Sequence, residues 1–219
     1  MKKINLGSGT ACLDDWVNID NSFNARLAKY PWLRNLAYKT GLLPRNLYDI
    51  PWSKHIKTII VHDVRKGLPF EDQSVDFIYT SHLIEHLKVT DAVKLLLECL
   101  RVLKSGALIR VVTPDLELFA KRYINKNKQK QMNGVEGDSL PIDEFLEVLN
   151  SNDCRATLRK LFEPPHRHIY DQFSLKALLK SCGFVDIFKR DFRQGEMPDI
   201  EFLDNRPEES LYMEARRPF

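Results

Sequence analysis

The sequence predicts an α/β protein with a seven-stranded, mostly parallel sheet sandwiched by helices. Short β-like runs alternate with helical stretches from one end of the chain to the other, the pattern made by parallel strands and crossover helices. Ile109, Val111 and Val112 form a near-continuous apolar run, as expected of a strand buried on both faces. Polar and glycine-rich motifs stand just beyond several of these runs, where an open α/β sheet builds its sites.

The predicted strands are Lys3–Leu6, Val17–Asp20, Thr58–Asp63, Val75–Ser81, Ala107–Thr113, Val185–Arg190 and Leu211–Ala215. The predicted helices are Asn24–Thr40, Thr90–Leu103, Leu116–Asn125, Ile142–Asn150, Arg155–Phe162 and Ser174–Cys182. Thr90–Leu103 is the clearest. Thr90 stands as its cap, and Val93, Leu96, Leu97, Leu100 and Leu103 recur at helical spacing. Gly106 then supplies a left-handed stop. Ser174 and Gly183 repeat this arrangement around the last crossover helix.

Two connections exceed the few residues such links need: 21–57 after the second strand and 114–165 after the fifth. They read as helical insertions into one domain spanning 1–219, together forming a substrate lid. Residues 125–141, polar with two glycines, read as a mobile loop. In the first insertion, Arg26 to Lys39 mixes basic and aromatic residues, with Leu33, Leu36 and Ala37 on one stripe. A helix packed on the core is the foremost reading. A pocket cover, a membrane-surface contact and a seat for an anionic substrate are the others.

The chain has 219 residues, 43% hydrophobic and 29% charged, an ordinary globular balance. Lysine and arginine number 33 against 30 acidic residues, too even to indicate nucleic-acid binding. Cys12, Cys99, Cys154 and Cys182 form no CxxC pair, so neither a zinc site nor a redox motif is expected. The N-terminal lysines are not followed by a signal-peptide apolar stretch, and no run is apolar enough to span a bilayer. A cytoplasmic protein is expected.

Four features carry chemistry. Leu6-Gly7-Ser8-Gly9 places a Gly-x-Gly turn after the first strand, which lets a ligand approach the backbone. Asp20 ends the second strand, where a carboxylate accepts hydrogen bonds from ribose hydroxyls. A dinucleotide fingerprint expects about 20 residues before such an acid. The Gly7–Asp20 interval is shorter, so the helix between must be one short turn or absent. His62-Asp63-Val64 ends the third strand, with Asp63 facing an adenine amine and Val64 the ring. Ser81-His82-Leu83-Ile84-Glu85-His86 follows the fourth. Each feature also has a plain structural reading, as a turn, a cap or a core histidine.

Together these motifs resemble class I S-adenosylmethionine-dependent methyltransferases, which share a Rossmann-like sheet. The stretches "INLGSGTACLDDWVNID", "HDVRKGLPFEDQSVDFIYTSHLIEHL" and "HRHIYDQFSLKALLKSCGF" resemble the type 11, small-molecule group in a form with a shortened first helix. The third glycine of the first motif is replaced by Thr10-Ala11-Cys12. The resemblance implies S-adenosyl-L-methionine as cofactor. Leu6, Gly7, Ser8 and Gly9 would serve its methionine end, Asp20 the ribose, and Asp63 and Val64 the adenine. Ser81 and His82 would lie beside the sulfonium. It also implies methyl transfer to a small-molecule or glycan-precursor acceptor.

Transfer from a sulfonium is mostly positioning, and a hydroxyl acceptor adds the need for a base. His82 and His86 are the favoured catalytic candidates, with His86 also open to a structural role. Glu85, Asp115, His166 and His168 are the further ones. His166-Arg167-His168 has no acidic or cysteine partner at ligand spacing, so no metal site is expected. Closure over the site is the better reading. The competing functions are a non-catalytic cofactor-binding module or partner subunit, and a nicotinamide-dependent oxidoreductase. The latter lacks a Tyr-x-x-x-Lys pair, since Asn127 follows Tyr123 and Ser174 follows Tyr170 at that spacing.

Overall fold

A computed structural model describes residues 1–43, 45–49, 59–133 and 166–219. The sheet contains β1 (Lys3–Leu6), β2 (Val17–Ile19), β3 (Ile59–Ile60), β4 (Val75–Ser81), β5 (Leu103–Pro114), β6 (Val185–Arg190) and β7 (Ser210–Arg216). Its order is β3-β2-β1-β4-β5-β7-β6. All neighbours pair in parallel except β7, which is antiparallel to both β5 and β6. The connection direction reverses between β1 and β4, and that switch point opens a crevice at the strand carboxyl ends.

Period-two alternation splits the sheet into two faces. Ile78, Ile109, Val111, Leu211, Met213 and Ala215 enter the larger core. Tyr79, Leu108, Val112 and Tyr212 enter the smaller one on the other side. The larger core is closed by α4 (Val89–Val102) and α6 (Gln172–Ser181). The smaller is closed by Met197 and by α7 (Ile200–Leu203).

The strand predictions hold, with β5 longer than expected and β3 shorter. Helix α4 begins at Val89, and Lys88, not Thr90, occupies its cap position without a side-chain bond. Its buried stripe is Ala92, Leu95, Leu96, Cys99 and Val102, while Leu97 is 47% exposed. Of the predicted stripe, Leu96 and Leu103 are buried and Val93 and Leu100 pack partly buried against the core. Leu103 turns extended immediately after α4, so Gly106 does not stop it. Gly106 (φ +70°) sits instead in a β5 bulge, where a Cβ would come 2.8 Å from the Phe219 ring. The α6 cap is Asp171, in a capping box with Ser174 at the third position; Gly183 (φ +96°) ends the helix as predicted.

The predicted Asn24–Thr40 helix is two helices, α1 (Phe23–Ala28) and α2 (Pro31–Lys39), followed by α3 (Arg45–Tyr48). Pro31 starts α2 at its first turn, where a missing N–H costs nothing. Helix α2 buries no residue, so the expectation that it packs on the core fails. Helix α5 runs Leu116–Asn133, carrying the Lys/Gln/Asn run read as the start of a loop. Lysine and glutamine are good helix formers, which the compositional reading undervalued. The predicted helices 142–150 and 155–162 lie outside the described residues. Among the described residues no helix is long and apolar enough to cross a membrane.

Candidate cofactor and acceptor cleft

A cleft of about 500 Å³ opens at the switch point, within the size range of small-molecule sites. Gly7, Ser8, Gly9, Asp20, Asp63, Val64, Ser81, His82 and His86 all line it. Leu6 instead puts its side chain into the core.

No helix forms between β1 and β2, as the short interval required. Two buried asparagines hold the loop in its place. Asn5 Nδ2 donates to the Ala11 carbonyl (2.7 Å), and Asn18 Nδ2 to those of Leu13 and Trp16 (both 3.0 Å). The Gly7 and Ser8 amides both donate to the Ile19 carbonyl, at 2.8 and 3.1 Å. Gly7 has φ +69°, and a Cβ there would meet Leu83 Cβ at 3.1 Å. Gly9 has φ +51° with nothing within 4 Å of a Cβ, so its backbone faces open space.

Asp20 ties this loop to the next. Its carboxylate accepts from the Gly9 amide (2.9 Å) and the Ser22 amide (2.6 Å). One bond per oxygen leaves lone pairs for ribose hydroxyls. Asp63 accepts the Arg65 guanidinium at 2.8 and 2.7 Å and the Arg65 amide at 3.1 Å. These bonds hold its carboxyl at about 2, below the ordinary aspartate range. Val64 opens a 3-10 turn, Val64–Lys66, with its buried side chain at the cleft.

The far end of the cleft follows β4. His82 has φ +49°, a conformation that a non-glycine residue adopts only when its surroundings enforce it. Its amide donates to the Val112 carbonyl (3.0 Å). Its Nε2 lies 2.9 Å from Ser210 Oγ, and its Nδ1 lies 3.2 Å from Glu85 Oε1. Glu85 and His86 sit on the 3-10 turn Ile84–His86. The His86 ring lies 4.9 Å from that of His166, centroid to centroid. The Arg167 and His168 amides both donate to the Glu85 carbonyl, at 2.7 and 3.2 Å. The 166–168 stretch thus packs on the Glu85–His86 turn, though none of its residues lines the cleft as closure over the site would require, while Asp115 pairs in a bridge with Tyr170 and caps α5. Burial, and then the Glu85 charge, push the Tyr170 phenol up to about 12.

Sequence reasoning missed Tyr79, Leu203, Asn205 and Arg206, which complete the wall. Tyr79 looked like a core strand residue, yet its hydroxyl donates to the Leu203 carbonyl (3.0 Å) beside Asp204 (3.2 Å). The 203–206 wall is fastened by fully buried Arg110. It pairs with Asp204 (2.6 Å) and Glu214 (3.0 Å) and reaches the Gln194 carbonyl (2.9 Å). No local signal in the sequence links those positions.

The sheet order and cleft define an open α/β protein with a site at its switch point, a glycine loop at one end and histidines at the other. Residues 41–111 match the family described as "Methyltransferase domain". The match spans about a third of the chain. The chain is similar in fold to a SAM-dependent methyltransferase from Archaeoglobus fulgidus (15% identity, TM-score 0.52, 98% of this chain and 85% of that one). It is also similar to one from Methanosarcina mazei (16%, TM-score 0.50, 100% and 92%). No curated protein matches it in sequence.

Proposed function

We propose that the chain is a class I S-adenosylmethionine-dependent methyltransferase of the type 11 group, which methylates a small-molecule or glycan-precursor acceptor held in the same cleft as the S-adenosylmethionine. The observation that carries this is the cleft's division. Gly9, Asp20 and Asp63 follow β1, β2 and β3 on one side of the switch point, and His82 and His86 follow β4 on the other, all lining one cleft of about 500 Å³. Such a volume suits two small partners, not a macromolecular surface. Gly7, Ser8 and Gly9 hold the methionine end, Asp20 the ribose, and Asp63 with Val64 the adenine. Ser81 and His82 flank the sulfonium. His82 Nε2 is held by Ser210 Oγ while its Nδ1 faces Glu85; His82 and His86 both line the cleft and are the candidates to meet the acceptor. Asn21, Ser22 and Asn24, from the start of the 21–57 insertion, line the cleft, and 134–165 of the second insertion lies outside the described residues.

Calorimetry with S-adenosylmethionine and S-adenosylhomocysteine, NAD as control and Asp20→Ala alongside, tests the cofactor half. Micromolar binding of both adenosyl compounds, weakened by the variant and absent for NAD, is expected. An S-adenosylhomocysteine-release assay over small hydroxylated acceptors and activated sugars tests the other half. Cofactor binding without release from any acceptor favours the non-catalytic module. NAD binding in place of S-adenosylmethionine revives the oxidoreductase. The loop without a helix argues against that outcome, because no helix N-terminus is present there for a pyrophosphate.

A further inference from the structure

Glu85 is fully buried, and neither carboxylate oxygen has a hydrogen-bond partner. His82 Nδ1 lies 3.2 Å from one of them but is not aligned as a donor. A buried carboxylate needs a counter-charge or aligned donors to persist. Two more imidazoles stand at the same place. One ligand atom each from Glu85, His86 and His166 lie within 4.8 Å of one another. The chain holds the set together by backbone contacts. Glu85 and His86 share one 3-10 turn, and the residues after His166 donate two amides to the Glu85 carbonyl. The acidic partner absent from the sequence around His166 is therefore supplied in space by Glu85.

We propose that Glu85, His86 and His166 bind one divalent transition-metal ion. Two imidazoles and one carboxylate suit zinc, iron, cobalt, nickel or manganese, whereas magnesium and calcium favour all-oxygen sets. Ligands about 2.1 Å from one ion lie at most about 4.2 Å apart, so small side-chain rotations complete the site. Three protein ligands leave coordination positions open, and His86 lies on the cleft wall. An acceptor hydroxyl reaching the ion there would be held and acidified, with His86 acting as a ligand rather than as a proton acceptor. That placement rests on the proposed methyl transfer; the binding of the ion does not.

The test uses the full chain, freed of any purification tag and stripped with a chelator. Zn²⁺ is titrated against a chromophoric competitor, and Co²⁺ is followed by its visible absorption. One equivalent is expected at micromolar affinity or tighter. Glu85→Gln and His166→Ala should each weaken it at least about tenfold, while His168→Ala leaves it unchanged. Absence of saturable binding of either ion overturns the proposal. So does affinity unaltered in both variants, or lost equally in His168→Ala. If Glu85→Gln does not fold, His166→Ala decides, with its melting curve as the control. S-adenosylhomocysteine binding, measured separately, reports on the methyltransferase reading whichever way the metal result falls.

Discussion

Asp20 carries a structural task and, in the proposed function, a ribose-binding one, and its variants separate them. Asp20→Ala removes the acceptor for both the Gly9 and Ser22 amides. Asp20→Asn keeps an oxygen but loses the charge and half of the pairing. Cofactor affinity should fall in both, and the melting temperature should fall more in the alanine variant. Gly7→Ala places a methyl group against Leu83 at a positive φ and should cost about 1–3 kcal/mol in denaturant unfolding. Asp63 makes a pH prediction. Its folded value of about 2 lies below the unfolded value of about 4. The Asp63–Arg65 contribution to stability is therefore complete above about pH 4 and disappears as pH falls through about 2. Arg65→Ala should move the Asp63 carboxyl titration back towards about 4, seen by carbon NMR.

At the scale of elements, α6 shows how local signals work and where they mislead. Asp171 and Ser174 form a reciprocal capping box, with the Ser174 amide 2.7 Å from Asp171 Oδ1. Asp171→Ala should cost about 1 kcal/mol, and loosening the start of α6 should also relax the neighbouring 166–170 stretch. Hydrogen exchange at the Arg167 and His168 amides checks that link, and faster exchange is expected there than in β4. Both α4 and α6 were visible from apolar spacing. Their caps were not, because several polar residues near each start were acceptable caps.

The whole molecule depends on an ionic cluster inside the smaller core. Arg110 is fully buried between Asp204 and Glu214, with Tyr212 under its guanidinium at 5.0 Å. It joins β5, β7 and the 191–206 segment that supplies Leu203, Asn205 and Arg206 to the cleft. Arg110→Ala leaves two buried carboxylates without their cation and should cost about 3–5 kcal/mol. Urea unfolding measures that loss. Cofactor or acceptor affinity should weaken as well, since the wall loses its anchor.

The sequence by itself determined the strands, their mostly parallel arrangement and the positions of the glycine loop, Asp20, Asp63 and the Ser81–His86 stretch. These follow from alternation and spacing, which are local properties of the chain. It also determined that β1 and β2 leave no room for a full helix, although not that Asn5 and Asn18 brace the loop instead. Only the tertiary structure decided that Glu85, His86 and His166 meet, that His82 lies between Glu85 and Ser210, and that Arg110 and Tyr79 fasten the 203–206 wall. Those partners are far apart in the chain, and no spacing rule connects them. They are brought together by the order in which the strands enter the sheet and by burial of side chains whose charges must be met within it.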